Sequence, residues 1–428
     1  MKKAYFLLIL VFIGVLPMVF AEENAEEIKV LTLEDAVQYA AENNIQVKTQ
    51  ALTIDTLKNA RTNSWNSISP TARVSGGLEE DFDKNTSKLS VSGTVSIGLS
   101  SNVYTAIRAA QLHYEQGLIS YEQACREVEK EVRTAFYRLL YGKEYLALQK
   151  KSLDTKKAQY DNNLERFRNG QISELDVMTS RVSYEAQKPV VEQAETVLVN
   201  NLASFKQVIG IDQRVRIRLE GSLDDVLSVT GVSFDSLPKR DVPAPDVQSA
   251  EKAVEIAENA LLSYRFSAYG PTVSASYTFG KVKNSGADDL MTQNSLSVGV
   301  NIPLDGYLPW SSSAVNIYAQ KNSLEAAKLS LENTKTSLAV QTEQYLRNIN
   351  LAVSQTASLK ANVELAETTY EMTETAYNYG KTDFLDLMSA NDAVLNANVS
   401  LKNQAYSLIS AILELEYLLG IPFGTIGK

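Results

Sequence analysis

The 428 residues contain one cysteine, Cys125, and one histidine, His113. A lone thiol leaves no internal disulfide. With a single imidazole, a metal site or triad that needs several histidines is excluded within one chain. No nucleophile–base pair, phosphate-binding loop or cluster of metal-ligand residues stands out, so no enzyme and no cofactor is expected. A basic excess is also missing. Lys and Arg number 41 against 51 Asp and Glu, a formal net charge of −10. That sign argues against nucleic acid as a partner. Beyond Ala21 no stretch is apolar enough for a transmembrane helix. Proline and glycine are scarce too, at 10 and 20 residues. Punctuation is therefore rare, and the long polar stretches are rich in Ala, Glu, Lys, Gln, Asn and Leu. Those residues favour long helices over compact mixed domains.

The N-terminus carries a targeting pattern. Lys2 and Lys3 precede an almost wholly apolar run from Phe6 to Phe20. Val19 and Ala21 sit at the −3 and −1 positions of a cleavage site, followed by Glu22 and Glu23. Residues 1–21 are thus expected to be a signal peptide. The competing reading is an uncleaved anchor, for which the run is short against ~30 Å of hydrocarbon. No cysteine follows the cleavage site, which argues against a lipoprotein. An exported chain without apolar helices can still cross a membrane as a β-barrel.

The chain repeats itself. FRNGQISELDVMTSRVSYEAQ from Phe167 aligns without a gap on YNYGKTDFLDLMSANDAVLNA from Tyr377, an offset of 210 residues. Gly170 falls on Gly380, Leu175 on Leu385, Asp176 on Asp386 and Met178 on Met388. Further along, Val208-Ile209-Gly210-Ile211 falls on Leu418-Leu419-Gly420-Ile421. Upstream, Ser69-Pro70 and Gly270-Pro271 each precede a pair of strands. These matches predict a first repeat over 22–219, an irregular segment over 220–245 and a second repeat over 246–428.

Each repeat reads as helix, two strands, a very long helix, a turn and a second helix. Not one Gly or Pro interrupts Ser311 to Tyr379. At 1.5 Å per residue such a helix spans roughly 100 Å. Its counterpart runs from about Asn102 to Arg168. The following helices are expected over about 172–209 and 382–419, and Leu33 to Asn66 reads as one helix ahead of the first strands. Two shorter helices stacked end to end would match one long one. Ala405, Leu408, Ile412, Leu415 and Leu419 form an apolar seam, echoed by Leu198, Leu202, Phe205 and Ile209. Such spacing buries one stripe against a partner helix. Pro189 interrupts the first-repeat helix where the second has Val399, so a bend or distortion is expected there.

Strands are expected at about 70–82, 87–100, 271–282 and 293–303. Leu89, Val91, Val95, Ile97 and Leu99 alternate with Ser90, Ser92, Thr94 and Ser96. Val273, Ala275, Tyr277 and Phe279 alternate with Ser274, Ser276 and Thr278, and Leu296, Val298 and Val300 with Ser295 and Ser297. The strand near Ala72 to Leu78 is weaker because of Gly76 and Gly77. A soluble sheet with one wet face alternates the same way. Two facts favour a membrane. The polar face is Ser, Thr and Gly, as in a water-filled lumen, not Lys and Glu. And four strands cannot close a barrel with a lumen, so several chains would share one.

On these residues the chain resembles the TolC-like outer-membrane efflux proteins over nearly its whole mature length. LTLEDAVQYAAENNIQVKTQ from Leu31 is similar to that family's first helix, and NGQISELDV and YGKTDFLDL to its two periplasmic helix–turn–helix tips. The resemblance implies a mainly α protein with a membrane β-barrel part. Very long antiparallel helices would build a periplasmic α-barrel, and four strands per protomer a twelve-stranded barrel in a homotrimer. It implies export from an inner-membrane pump of RND, ABC or MFS type, through a periplasmic adaptor, across the outer membrane. Drug efflux and type I protein secretion use the same plan, so the substrate stays open.

The resemblance also assigns roles. Gly170 and Gly380 match adaptor-docking tips, although a helix cap alone needs the same glycine. Asp176 and Asp386 match entrance carboxylates, which in three copies would ring the path and attract cations. Complementing a helix dipole is their alternative role. Tyr377 matches a tyrosine that bonds across helices to the Asp176 position. Thr382 and Ser389 depart from the family's charged latch, so closure by hydrogen bonds and packing is expected instead. Ser90, Ser92, Thr94, Ser274, Ser276 and Ser297 are the lumen-facing candidates. Trp65 and Trp310 belong either to a membrane–water belt or to a packed equatorial position. His113 reads as a surface or groove residue. The rival account is an exported coiled-coil structural protein without a pore, which has no need of paired amphipathic hairpins.

Overall fold

Long uninterrupted helices need sequences without breakers, and neither of the two longest contains a proline. The computed structural model describes residues 29–83, 86–224, 243–284 and 289–426. The signal peptide expected over 1–21 lies outside the described residues, as do 225–242 of the irregular segment.

In chain order the elements are β1 (Lys29–Leu31), α1 (Leu33–Asn43), α2 (Ile45–Thr62), β2 (Thr71–Asp81), β3 (Thr86–Ser100), α3 (Asn102–Arg168), α4 (Glu174–Ile209), β4 (Ile217–Leu219), α5 (Pro245–Tyr269), β5 (Thr272–Asn284), β6 (Met291–Asn301), α6 (Ser312–Asn378) and α7 (Phe384–Leu419). The duplication is metrically close. α3 and α6 are each 67 residues long, and α4 and α7 are each 36. α4 and α7 end alike, capped by Gly210 and Gly420 at φ 73° and 68°.

α3 is the spine. Its first half meets α2 and α5, with Arg108 pairing to Glu255 and Asn259 donating to the Thr105 carbonyl. Its second half meets α4 and α7, with Lys150 pairing to Glu195 and Lys156 to Asp392. α6 packs on α5 above and α7 below. α2 and α4 thus follow one another along α3. At their junction the Asn44 amide donates to the Val208 carbonyl at 2.8 Å. Gly210 is needed there twice over, for its positive φ and because a Cβ would sit 2.8 Å from the Asn43 carbonyl oxygen.

The apolar seams set this packing. Ala405, Leu408, Ile412 and Leu415 are fully buried on α7, the last three against Leu346 and Ile349 of α6. Phe205 and Ile209 of α4 lie with Val132, Phe136 and Leu140 of α3. Burying each such side chain contributes roughly 1.5–3 kcal/mol.

Three features differ from the sequence expectation. The helix expected over Leu33 to Asn66 is broken. Asn44 adopts an extended backbone, and its side chain caps α2 by accepting from the N–H of Gln46. A single-turn 3₁₀ segment over Ser64–Ile68 then leads to the strands. α4 continues as one helix past Pro189. A parallel bridge pairs β1 with β4, Val30 opposite Arg218, and joins the start of the first repeat to its end. Three-residue strands carry no periodicity for a sequence reading to find.

Candidate functional site

The four long strands form one antiparallel sheet in the order β2-β3-β5-β6. Facing residues in antiparallel strands point the same way. The register sets Val95 opposite Ala72 and Tyr277, Ile97 opposite Ala275, and Tyr277 opposite Leu296. The alternating apolar residues therefore share one face, and only Val282 and Met291, near the hairpin end, fall on the other. The other face gathers the lumen candidates: Ser92 lies opposite Ser75, Thr94 opposite Thr278, Ser276 opposite Ser297, Ser274 opposite Gly98, and Ser90 opposite Gly77. Ser75 and Ser92 hydroxyls meet at 3.0 Å, and those of Thr94 and Thr278 at 3.1 Å.

The exposure is inverted relative to a soluble protein. Leu296 and Val298 are 72% and 70% exposed, whereas Ser92, Thr94 and Ser276 on the opposite face are half-buried. A large bare apolar face marks contact with lipid or another chain. Trp65 and Trp310 lie at the helical end of this sheet, both exposed, just before β2 and shortly after β6. No described helix is long and apolar enough to cross a membrane.

At the far end of the helices lie the two tips. Gly170 and Gly380 have φ of 70° and 69°, and nothing lies within 4 Å of where a Cβ would stand on either. The glycines are fixed by backbone conformation, and the space beside them is open. The caps are alike: Gln171 N–H donates to the Arg166 carbonyl, and Lys381 N–H to that of Ala376. These are the paired bonds of a Schellman turn.

The two aspartates are held locally and differently. Asp176 closes a capping box, accepting from the Ser173 N–H at 3.1 Å and the Ser173 hydroxyl at 2.8 Å. Asp386 accepts from the Thr382 hydroxyl at 2.6 Å. Each also sits in the first turn of its helix, where a negative charge is favoured.

Tyr377 is buried, and its hydroxyl donates to Asn163 Oδ1 of α3 at 2.6 Å. The bond to Asp176 that the family resemblance implied is therefore not made. Arg166 lies over the Tyr377 ring, 4.7 Å from its centre. Burial pushes the Tyr377 hydroxyl above its ordinary value, and the nearby Asp176 charge adds to the rise. Phe384 and Leu387 pack on Tyr377. Tyr370, one turn-pair earlier, is pushed up to about 12 by burial and by its bond to Glu374.

A polar layer lies further up the same helices. Lys156 pairs with Asp392 of α7 at 3.0 Å and donates to Gln187 of α4 at 3.3 Å. Gln187 in turn donates to Gln149 of α3 at 2.6 Å. Lys156 thus ties three helices and both repeats together. Asn163, Lys156, Gln187 and Asp392 gave no signal in the sequence, because a polar residue within a helix reads as solvent-facing.

Residues 242–421, the second repeat, match the family described as "Outer membrane efflux protein". That match covers somewhat under half of the chain. The chain is 21% identical to outer membrane protein TolC of Vibrio cholerae, over 98% of this chain and 96% of that one. Its fold is that of the outer membrane channel CmeC of Campylobacter jejuni, with a TM-score of 0.73 and 18% identity over 91% and 85% of the two chains. It is likewise that of the outer membrane protein VceC of Vibrio cholerae, with a TM-score of 0.72 and 13% identity over 91% and 96%. The chain is an outer-membrane channel for export, with helices extending into the periplasm. The family is one of channels, not enzymes. The pore-free coiled-coil account is set aside.

Proposed function

We propose that three copies of this chain close into one duct, which an inner-membrane pump of RND, ABC or MFS type loads through a periplasmic adaptor. The observation that carries the reading is the open sheet. Its outer strands, β2 and β6, each have one edge without a partner among the described residues. Unpaired backbone groups are not tolerated in hydrocarbon, and four strands cannot surround a lumen. Pairing β6 of one copy with β2 of the next, around a closed ring, removes every edge. Three copies supply twelve strands.

The helices support the same ring. α6 lies at one side of the helical layer and exposes Val315, Leu329, Leu351 and Leu365. On the other side α2 and α4 expose Leu52, Val182 and Val199. Those flanks would cover one another between copies. Ser90, Ser92, Thr94, Ser274, Ser276 and Ser297 then line the lumen. Asp176, Tyr377 and Asp386 stand at the periplasmic entrance, and Gly170 and Gly380 present open backbone to adaptor hairpins. The exported substrate is a drug, another small molecule or a protein.

The mass of the detergent-purified protein tests this reading. Light scattering should return three chains per particle. A stable monomer or dimer overturns it.

A further inference from the structure

The apolar face of the sheet does not end evenly. Two lysines stand on it at the end away from the helices. Lys281 lies opposite Val91 and Thr292, and Lys283 opposite Leu89. Leu89 and Val91 belong to the exposed apolar row, so both lysines point to the same side as that row, and both are exposed. Lys88, by contrast, lies opposite Glu79 on the polar face and pairs with it at 3.9 Å. Neither Lys281 nor Lys283 pairs with a carboxylate among the described residues. Glu80 shares their face but sits on β2, two strands away, roughly 10 Å to the side.

Directly beneath Lys281 is a groove of about 510 Å³. Its lining is almost entirely apolar, with Val74, Leu89, Val91, Phe279 and Leu290 as walls. Glycine makes the gap. Gly93 falls in the apolar row, and a Cβ there would meet the Phe279 ring at 2.6 Å. The tip of the Phe279 ring occupies the place where that side chain would stand, so the ring itself walls the groove.

We infer that this groove is a binding site for a phosphorylated, acylated lipid of the outer leaflet, with an acyl chain along Val91 and Phe279 and the headgroup phosphate on Lys281 and Lys283. The inference rests on the strands crossing the outer membrane. The apolar row from Leu89 to Leu99 spans about 25 Å at an ordinary strand tilt, the height of a barrel's lipid-facing band. Lys283 then stands level with the rim of that band at Leu89, and Lys281 two residues inside it, from where its long side chain reaches the headgroups. Cations there attract anionic headgroups, and long side chains reach the interface. A charge on the lipid face is otherwise unfavourable in hydrocarbon.

Native mass spectrometry of the full detergent-purified protein tests the site, with dioleoyl phosphatidic acid as probe. Binding should exceed that of dioleoyl phosphatidylcholine. It should fall roughly 30-fold in Lys281→Ser/Lys283→Ser. It should persist in Lys88→Ser and in Lys281→Arg/Lys283→Arg, which controls for folding. Phe279→Ala should weaken it with both charges intact. Equal binding of phosphatidylcholine, undiminished binding in the double serine variant, or inorganic phosphate competing as well as the lipid would overturn the inference. Conductance of the same samples separates the two claims. A protein that conducts but shows no lysine-dependent lipid binding refutes only the lipid site.

Discussion

The Tyr377 hydroxyl and the Asn163 side chain meet at 2.6 Å, joining the last turns of the two 67-residue helices. Both residues are buried, and they come from different repeats. Removing the hydroxyl leaves Asn163 Oδ1 without its donor, at a cost of about 1–3 kcal/mol. Tyr377→Phe should therefore loosen the tip without altering the strands. Hydrogen exchange should accelerate across 376–383 and stay unchanged over β3 and β5. Equal protection in both proteins would show that the bond holds nothing closed.

Gly170 and Gly380 separate capping from docking. Alanine at either position should destabilise its turn by about 1–2 kcal/mol, because φ near +70° crowds a Cβ. Asparagine tolerates that conformation and should recover most of the loss. If an adaptor hairpin packs against the glycine, asparagine should restore thermal stability but not adaptor affinity. Full recovery of both would leave the glycines as caps alone.

The junction of α3 and α5 should respond to acid. Lys252 bonds to Glu115 at 2.9 Å and to Glu255 at 2.8 Å. The Lys252 bond holds the Glu115 carboxyl below its ordinary value of 4.5. A depressed carboxyl contributes stability that is present above 4.5 and lost as pH falls through its lowered value. Lys252→Met should lose stability at neutral pH by less than about 1 kcal/mol, since the group is partly exposed. Its deficit relative to the parent should shrink as pH falls through the lowered Glu115 value. Thermal denaturation of both proteins across pH 3.5 to 7 would show it, and a deficit constant with pH would contradict it.

Much of this fold was legible from what the sequence repeats and omits. The run from Ser311 to Tyr379, free of Gly and Pro, marks α6 because nothing in it can end a helix. The glycine pairs at a constant offset mark the turns, since both positions demand positive φ. Strict alternation of Val and Leu with Ser marks β3 and β6. What stayed hidden depends on tertiary partners. Asn44 breaks the first helix because its amide reaches the Val208 carbonyl, 164 positions away in sequence. Asn163 and Lys156 are buried polar residues whose partners lie on other helices. The aspartates were visible as residue types, but their bonds to Ser173 and Thr382 needed coordinates. Tyr377 was found, though with the wrong partner, because α3 rather than α4 supplies the nearest acceptor.

Single-channel conductance in a planar lipid bilayer tests the central claim most directly. The purified protein should give discrete steps that favour cations. Replacing Asp386 by alanine in all copies should reduce that preference while steps persist, because three carboxylates would leave the path. Absence of any step from protein that is otherwise folded would contradict the duct itself.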